Sequence, residues 1–308
     1  MVYSKQYPSI TQVLIHMQFL TASSVLQVME AGIQNTVMIP GSIEMMDGRH
    51  FQVMEDNTIK AASGHVQAIA ALCLRQFKGQ DLFLGEDWFR ILPNCGHQPS
   101  VLGFIVENIM ISHLAKGSIT LDNKKLGRMR IVELGAAYPS LIDPYLPLNQ
   151  PNIYIPVKWN HKAIDAIIIW PDKPTLKVIA IQIAINNRHE NSEVSFAPYW
   201  KDILPMRGPV AKHLPPGFSQ YELIFLWIVE DPEKFRFKNA IVPAGVVKID
   251  NVDFHHREYR RVVEGVKDIC PKLVPGLERA RETQQNENDL LQELGKTTRK
   301  LRGKKKIQ

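Results

Sequence analysis

Two polar residues sit inside apolar runs that would otherwise be routine core. Asp165 lies in AIDAIIIW and Gln182 in LKVIAIQIAI, and the short turn PDKPT joins the two runs. Runs rich in Ile and Val, bounded by Pro and Asp, predict a buried β-hairpin. A carboxylate in such a strand is costly unless something compensates it. A divalent metal is one compensation, and an internal hydrogen-bond partner is the other. A third candidate lies upstream. The stretch SVLGFIVENIMISHLAKG predicts a mainly apolar helix with Ser100 as N-cap and Gly117 as stop. Glu107 sits near its middle, either on an exposed face or aimed at a site.

Carboxylates held on adjacent strands and on a preceding helix are what metal-dependent phosphodiester cleavage requires. The oxygen ligands converge on Mg²⁺, and a cation or second metal stabilises the charge that builds on phosphate. A Lys two residues past the second strand ligand would share its face through the two-residue strand period and orient the attacking water. Here that position is Ala184, and the second ligand position holds the neutral Gln182. Asp165 and Glu107 are then the anionic ligands, while Lys162, Arg188 and His189 are candidates for the missing cation.

In order, the string reads Tyr154-Ile155-Pro156, Ile164-Asp165, Gln182, His189, Ser192-Glu193, Phe196 and Trp200. It resembles the nuclease-like C-terminal region of Crinkler effectors and related retrotransposon-hot-spot-type proteins, a branch of the PD-(D/E)XK superfamily. SVLGFIVENIM resembles that family's glutamate-bearing helix. VMEAGIQNTV and HVQAIAALCL resemble the segment that joins its NTPase to its nuclease. The resemblance implies a restriction-endonuclease-like mixed α/β sheet flanked by helices, with Asp165, Gln182, Glu107 and His189 at the site and Mg²⁺ as cofactor. It also implies an effector-like role in a nucleus. The family's NTPase would need a GxxxxGK[ST] phosphate loop, and this sequence has none. The chain therefore resembles a shortened member that keeps the linker and the nuclease-like domain. A protein of the same fold that binds nucleic acid or a protein partner without cutting is the competing expectation, because Ala184 and Gln182 weaken the site.

The elements that must position these residues fall into three regions. Residues 1–95 predict a small helical or winged-helix-like module, with a helix over about 65–77 and small strands in TVMIP and HFQVME. Residues 96–275 predict the nuclease-like domain. Within it MRIVEL, YELIFLWIV and NAIVPAGVVKID read as strands, and HENSEVSFAPYWKDIL contains a short helix. HHREYRRVVEGVKDI reads as a basic helix, with Arg257, Arg260 and Arg261 as candidates to touch phosphate beside Lys162 and Arg188. Residues 276–308 are so polar and, at their end, so basic that a disordered arm is expected. Such an arm suits nucleic-acid contact or nuclear import.

The totals fit this division. The 308 residues are 45% apolar and 22% charged, as in globular proteins, and the net charge of +6 favours anionic partners such as DNA. Cys73, Cys95 and Cys270 are far apart and form no CxxC, so neither a zinc knuckle nor a disulfide framework is suggested. The N-terminus lacks the apolar run of a signal peptide. No stretch reaches the roughly 18 apolar residues of a membrane-spanning helix, so no membrane partner is expected.

Overall fold

The computed structural model describes residues 30–31, 33, 51–53, 59–61, 64–95, 99–134, 148–156, 164–185, 192–196, 215–235, 246–249, 252–255 and 259–304. Lys162, Arg188, His189, Trp200 and Arg257 lie outside these residues, as does the expected strand in TVMIP.

A small antiparallel pair comes first, β1 (Phe51–Val53) with β2 (Ile59–Ala61). Three helices follow: α1 (Gly64–Lys78), α2 (Glu86–Ile91) and α3 (Pro99–Ala115). A hairpin of β3 (Thr120–Leu121) and β4 (Lys124–Lys125) turns through Asp122 and Asn123, whose φ values of 54° and 60° are left-handed. Short Asx residues tolerate that backbone at a two-residue turn. Next come β5 (Arg130–Leu134), β6 (Asn152–Pro156), β7 (Ala166–Asp172), β8 (Thr175–Ala184) and the short helix α4 (Ser192–Phe196). β9 (Gln220–Val229) is followed by the antiparallel pair β10 (Val246–Ile249) and β11 (Val252–His255). β12 (Tyr259–Gly265), α5 (Val266–Ile269) and the long α6 (Val274–Lys304) complete the described chain.

The central sheet has six strands in the order β12-β9-β8-β7-β6-β5. β7 runs antiparallel to both neighbours, and every other adjacent pair is parallel. Strand residues alternate between two cores, as the two-residue period demands. Ile168, Ile179, Ile181, Ile224 and Ile228 face the core that contains α3. Ile167, Ile169, Val178, Phe225 and Trp227 face a second core that includes Phe196 of α4. Both faces are covered, which explains why β8 and β9 read as near-continuous apolar runs. The architecture is therefore mixed α/β, a six-stranded mixed sheet with helices and small antiparallel pairs beside it.

α3 is apolar on nearly every side, the pattern of a helix sunk in a core. It stops at Gly117, where φ is +84°. Ser118 N–H donates to His113 O at 3.2 Å and Gly117 N–H to Leu114 O at 2.8 Å, the paired bonds of a Schellman cap. Residues 79–95 also contribute to this core, since Phe83, Trp88, Leu92 and Cys95 are buried in it. The three cysteines are buried free thiols.

Two expectations are corrected. The helix expected over residues 255–269 is not formed: Tyr259–Gly265 is a strand paired parallel to β9, and only Val266–Ile269 is helical. Val262 and Val263 are β-branched, and the open edge of β9 offers a ladder that outweighs the weak helical period. The arm expected to be disordered from residue 276 is instead helical to Lys304. Leu273, Leu277 and Ala280 are buried and anchor its first turns.

The cap makes a sharp expectation. A Cβ at Gly117 would stand 2.4 Å from Leu126 O, on backbone that L side chains avoid. Gly117→Ala should destabilise the chain by about 2 kcal/mol or more, read as a fall in Tm. An unchanged Tm would mean that the turn after α3 is not built this way.

Candidate functional site

The hairpin of β7 and β8 carries its two odd residues to one place. β7 begins at Ala166, opposite Ile181, so Asp165 stands at the mouth of the hairpin beside Gln182. The backbone N–H of Asp165 donates to Ile181 O at 2.8 Å. Its Oδ2 accepts the Ile183 N–H at 2.6 Å and the Gln182 Nε2 amide at 2.8 Å. Gln182 is buried and lies, by strand parity, on the face of Ala180 and Ala184. The carboxylate thus completes the ladder where the main chain of β7 leaves it. Both compensations raised by the sequence remain in play: the internal partner exists, and it occupies one of the two carboxylate oxygens.

Glu107 arrives from α3. The residue keeps some exposed surface while its carboxyl is desolvated, and no hydrogen-bond donor or cation among the described residues meets it. Burial pushes Asp165 up to about 7, against the opposing pull of the Ile183 N–H. Burial, and then the nearby charge of Asp165, pushes Glu107 well above the usual carboxylate range. The repulsion falls on whichever acid ionises second, here Glu107. The charge of Asp165 thus reaches Glu107 of α3, while Gln182 holds Asp165 Oδ2 from the sheet face turned away from α3. No group of three or more His, Cys, Asp or Glu side chains suited to a metal occurs among the described residues. Two carboxylates and water are nevertheless a donor set that Mg²⁺ accepts, because it dehydrates reluctantly and keeps several waters. The two acids fit that ion in one further respect: they repel each other, and a dication reverses the sign of their interaction.

The proposed phosphate contacts fare differently. Arg260 Nη1 and Nη2 donate to Asp122 at 2.8 and 3.0 Å, and its Nε to Glu222 at 2.9 Å. Arg261 Nε and Nη2 donate to Glu193 Oε2 at 2.9 and 2.6 Å. Glu193 is buried in α4, so this pair ties α4 to β12. Both arginines thus have carboxylate partners inside the fold. Lys162, Arg188, His189 and Arg257 lie outside the described residues.

One cation near the site was invisible in the sequence. Arg281 of α6 donates to the backbone carbonyl of Ile185, one residue past Ala184, and to Glu230 Oε2 at 3.0 Å. It comes from 96 residues away in the chain, and no local pattern marks it. A cleft of about 450 Å³ opens here at the carboxyl ends of β8 and β9, lined in part by Ala184, Ile185, Glu230 and Lys267. No protein-family model, curated protein or solved structure matches the chain.

The raised acids fix a pH dependence. Both bind protons more tightly folded than unfolded, so their contribution to stability is complete below about pH 4 and is lost as pH rises, for Asp165 through about 7. Glu107→Gln removes one charge of the pair. Its Tm relative to wild type should rise by roughly 2–4 °C between pH 4 and pH 8, for about 1 kcal/mol of relieved repulsion. A gap that stays constant with pH would show that the two acids do not interact.

Proposed function

We propose that the chain is a Crinkler-like protein with a PD-(D/E)XK nuclease-like domain that binds DNA and holds a divalent cation, Mg²⁺ by preference, at Asp165 and Glu107. The observation that carries this reading is that the helix-borne Glu107 lies within reach of the charge of the hairpin-borne Asp165, whose Oδ2 accepts the Gln182 amide. The element order supports it as well: a glutamate-bearing helix, an antiparallel run β6-β7-β8, a short helix, then β9 parallel to β8. The net charge of +6 suits a polyanion. A nuclear site of action follows from the resemblance alone.

When bound, the cation would supply Lewis-acid stabilisation of phosphate charge and a more acidic water. The chain's own residues set the rest. Asp165 presents Oδ1, because Oδ2 is held by Ile183 and Gln182. Glu107 presents a carboxyl with no competing donor among the described residues. Gln182 fixes the orientation of Asp165 rather than adding charge. Since both acids are raised, protons compete with an ion for them, and affinity should climb with pH.

A second reading rests on its own observation. Ala184 leaves no cation two residues past Gln182, and Arg281, at the same end of β8, is engaged by Glu230 and a main-chain carbonyl. On this reading the domain binds DNA, or a protein partner, and does not cut.

Supercoiled plasmid incubated with millimolar Mg²⁺ or Mn²⁺ separates the two. Nicking by wild type that is lost in Asp165→Asn and in Glu107→Gln supports the enzyme. Nicking that survives both substitutions removes the site. Absence of nicking together with DNA affinity that falls steeply with salt establishes the binding reading, and absence of DNA binding rejects both. Independently of activity, Mn²⁺ should raise Tm by about 2 °C or more at pH 8 and much less at pH 5 in wild type, and not at all in Glu107→Gln.

A further inference from the structure

α6 outlasts the core that holds it. Ala280 is fully buried, whereas Glu282, Thr283, Gln285, Asn286 and Asn288 are exposed. From residue 282 to Lys304 the helix continues for about 34 Å at 1.5 Å per residue. Leu290, which is 59% exposed, stands in this part. The positions of Leu290, Leu294 and Leu301 recur at spacings of four and seven, which places them along one stripe of the helix. Such a stripe is the seam of a helix that has a partner.

The charges name the partner. Residues 282–293 contain Glu282, Glu287, Asp289 and Glu293 and no base. Residues 294–304 contain Lys296, Arg299, Lys300, Arg302 and Lys304 and no acid. The division falls between Glu293 and Leu294, so each half of the segment is the electrostatic complement of the other. A second copy laid parallel would set acid on acid and base on base. Turned antiparallel about Glu293 and Leu294, it sets the acidic half of each copy along the basic half of the other. Position 287 of one copy then lies abreast of position 300 of the other, Glu against Lys. Position 290 comes within about one turn of position 294 of the other copy, so the two leucine stripes meet at the centre. The two cores stand at opposite ends of the paired segment, separated by its length, so they do not collide.

We infer that α6 from residue 282 onward is a self-association surface, whose occupant is the same segment of a second copy of this chain in antiparallel orientation. DNA competes for the basic half, and the test separates the two. Sedimentation of the full chain over a range of concentrations should show a dimer at low salt that weakens as salt rises. The charge-reversed variant Glu287→Lys/Asp289→Lys/Glu293→Lys should weaken it by about tenfold or more. So should Lys296→Glu/Arg299→Glu/Lys300→Glu, and mixing the two variants should restore it. Unchanged helix content and Tm serve as the folding control. Orientation is read by crosslinking: Gln285→Cys and Arg302→Cys chains should form a disulfide when mixed under mild oxidation by oxidised glutathione, and neither should do so alone. A monomer at every concentration overturns the inference, as does a dimer indifferent to both charge reversals or one in which each cysteine variant crosslinks with itself. A monomer whose DNA affinity falls on reversal of Lys296, Arg299 and Lys300 overturns it too, and assigns the basic half to nucleic acid instead.

Discussion

One carboxylate oxygen holds the mouth of the central hairpin. Asp165 Oδ2 takes the N–H of Ile183, which would otherwise be buried without a partner on this side of the strand, and the amide of Gln182, which also reaches Ile183 O at 3.5 Å. An unpaired donor in such a place costs more than an ordinary hydrogen bond contributes. The end of β8, and with it Ala184 and the start of the cleft, is therefore set by a side chain rather than by strand pairing alone. The same bond fixes which oxygen of Asp165 is spent inside the fold.

This dependence gives Glu107 its meaning. α3 is apolar because it fills one core, and an apolar residue at position 107 would serve that packing at least as well. A glutamate there gains no partner among the described residues and loses hydration, and it meets the field of Asp165 besides. Nothing in the packing of α3 requires that cost. The acid is explained if something positive visits the pair, either a proton shared between the two carboxyls or a metal ion that displaces it. Protonation satisfies the fold at low pH. Near and above neutrality it no longer does, and the pair becomes a site with an unmet demand for positive charge.

What could be read in the sequence follows from how local each cause was. The hairpin was legible because Ile and Val runs, a Pro-containing turn and two misplaced polar residues all lie within a short span. α3 was legible through its apolar content and Gly117. The strand over Tyr259–Gly265 was not, because its conformation is decided by the edge of β9, whose sequence lies well upstream. The helix beyond residue 276 was not, because three buried residues, Leu273, Leu277 and Ala280, anchor a polar segment whose average composition hides them. Arg281 could not be placed beside Ile185 by any local pattern, and Arg260 and Arg261 looked free only because Asp122, Glu222 and Glu193 are remote in sequence.

The two ends of the sheet are treated in opposite ways, and the contrast argues for where function resides. At the amino end of β8, Lys177 is buried over the Trp170 ring and donates to Asp122 at 2.7 Å, with Asp172 at 3.4 Å and Glu222 at 3.6 Å. Lys124 reaches Asp172 at 2.9 Å, and Arg260 joins Asp122 to Glu222. Three bases answer three acids there. Lys177 holds Asp122 below the usual carboxylate range, and Lys124 does the same for Asp172, so these acids stay charged and paired at neutral pH. At the carboxyl end Asp165 and Glu107 are raised instead, and no described cation meets them. The fold neutralises one cluster fully and leaves the other, among the described residues, without a cation. In an open sheet that mixes parallel strands with flanking helices, the carboxyl ends of the strands are where ligands generally bind. Asp165 lies at that end, held by Ile183 at the last turns of β8, and its raised carboxyl is one that a cationic ligand would favour in its charged form.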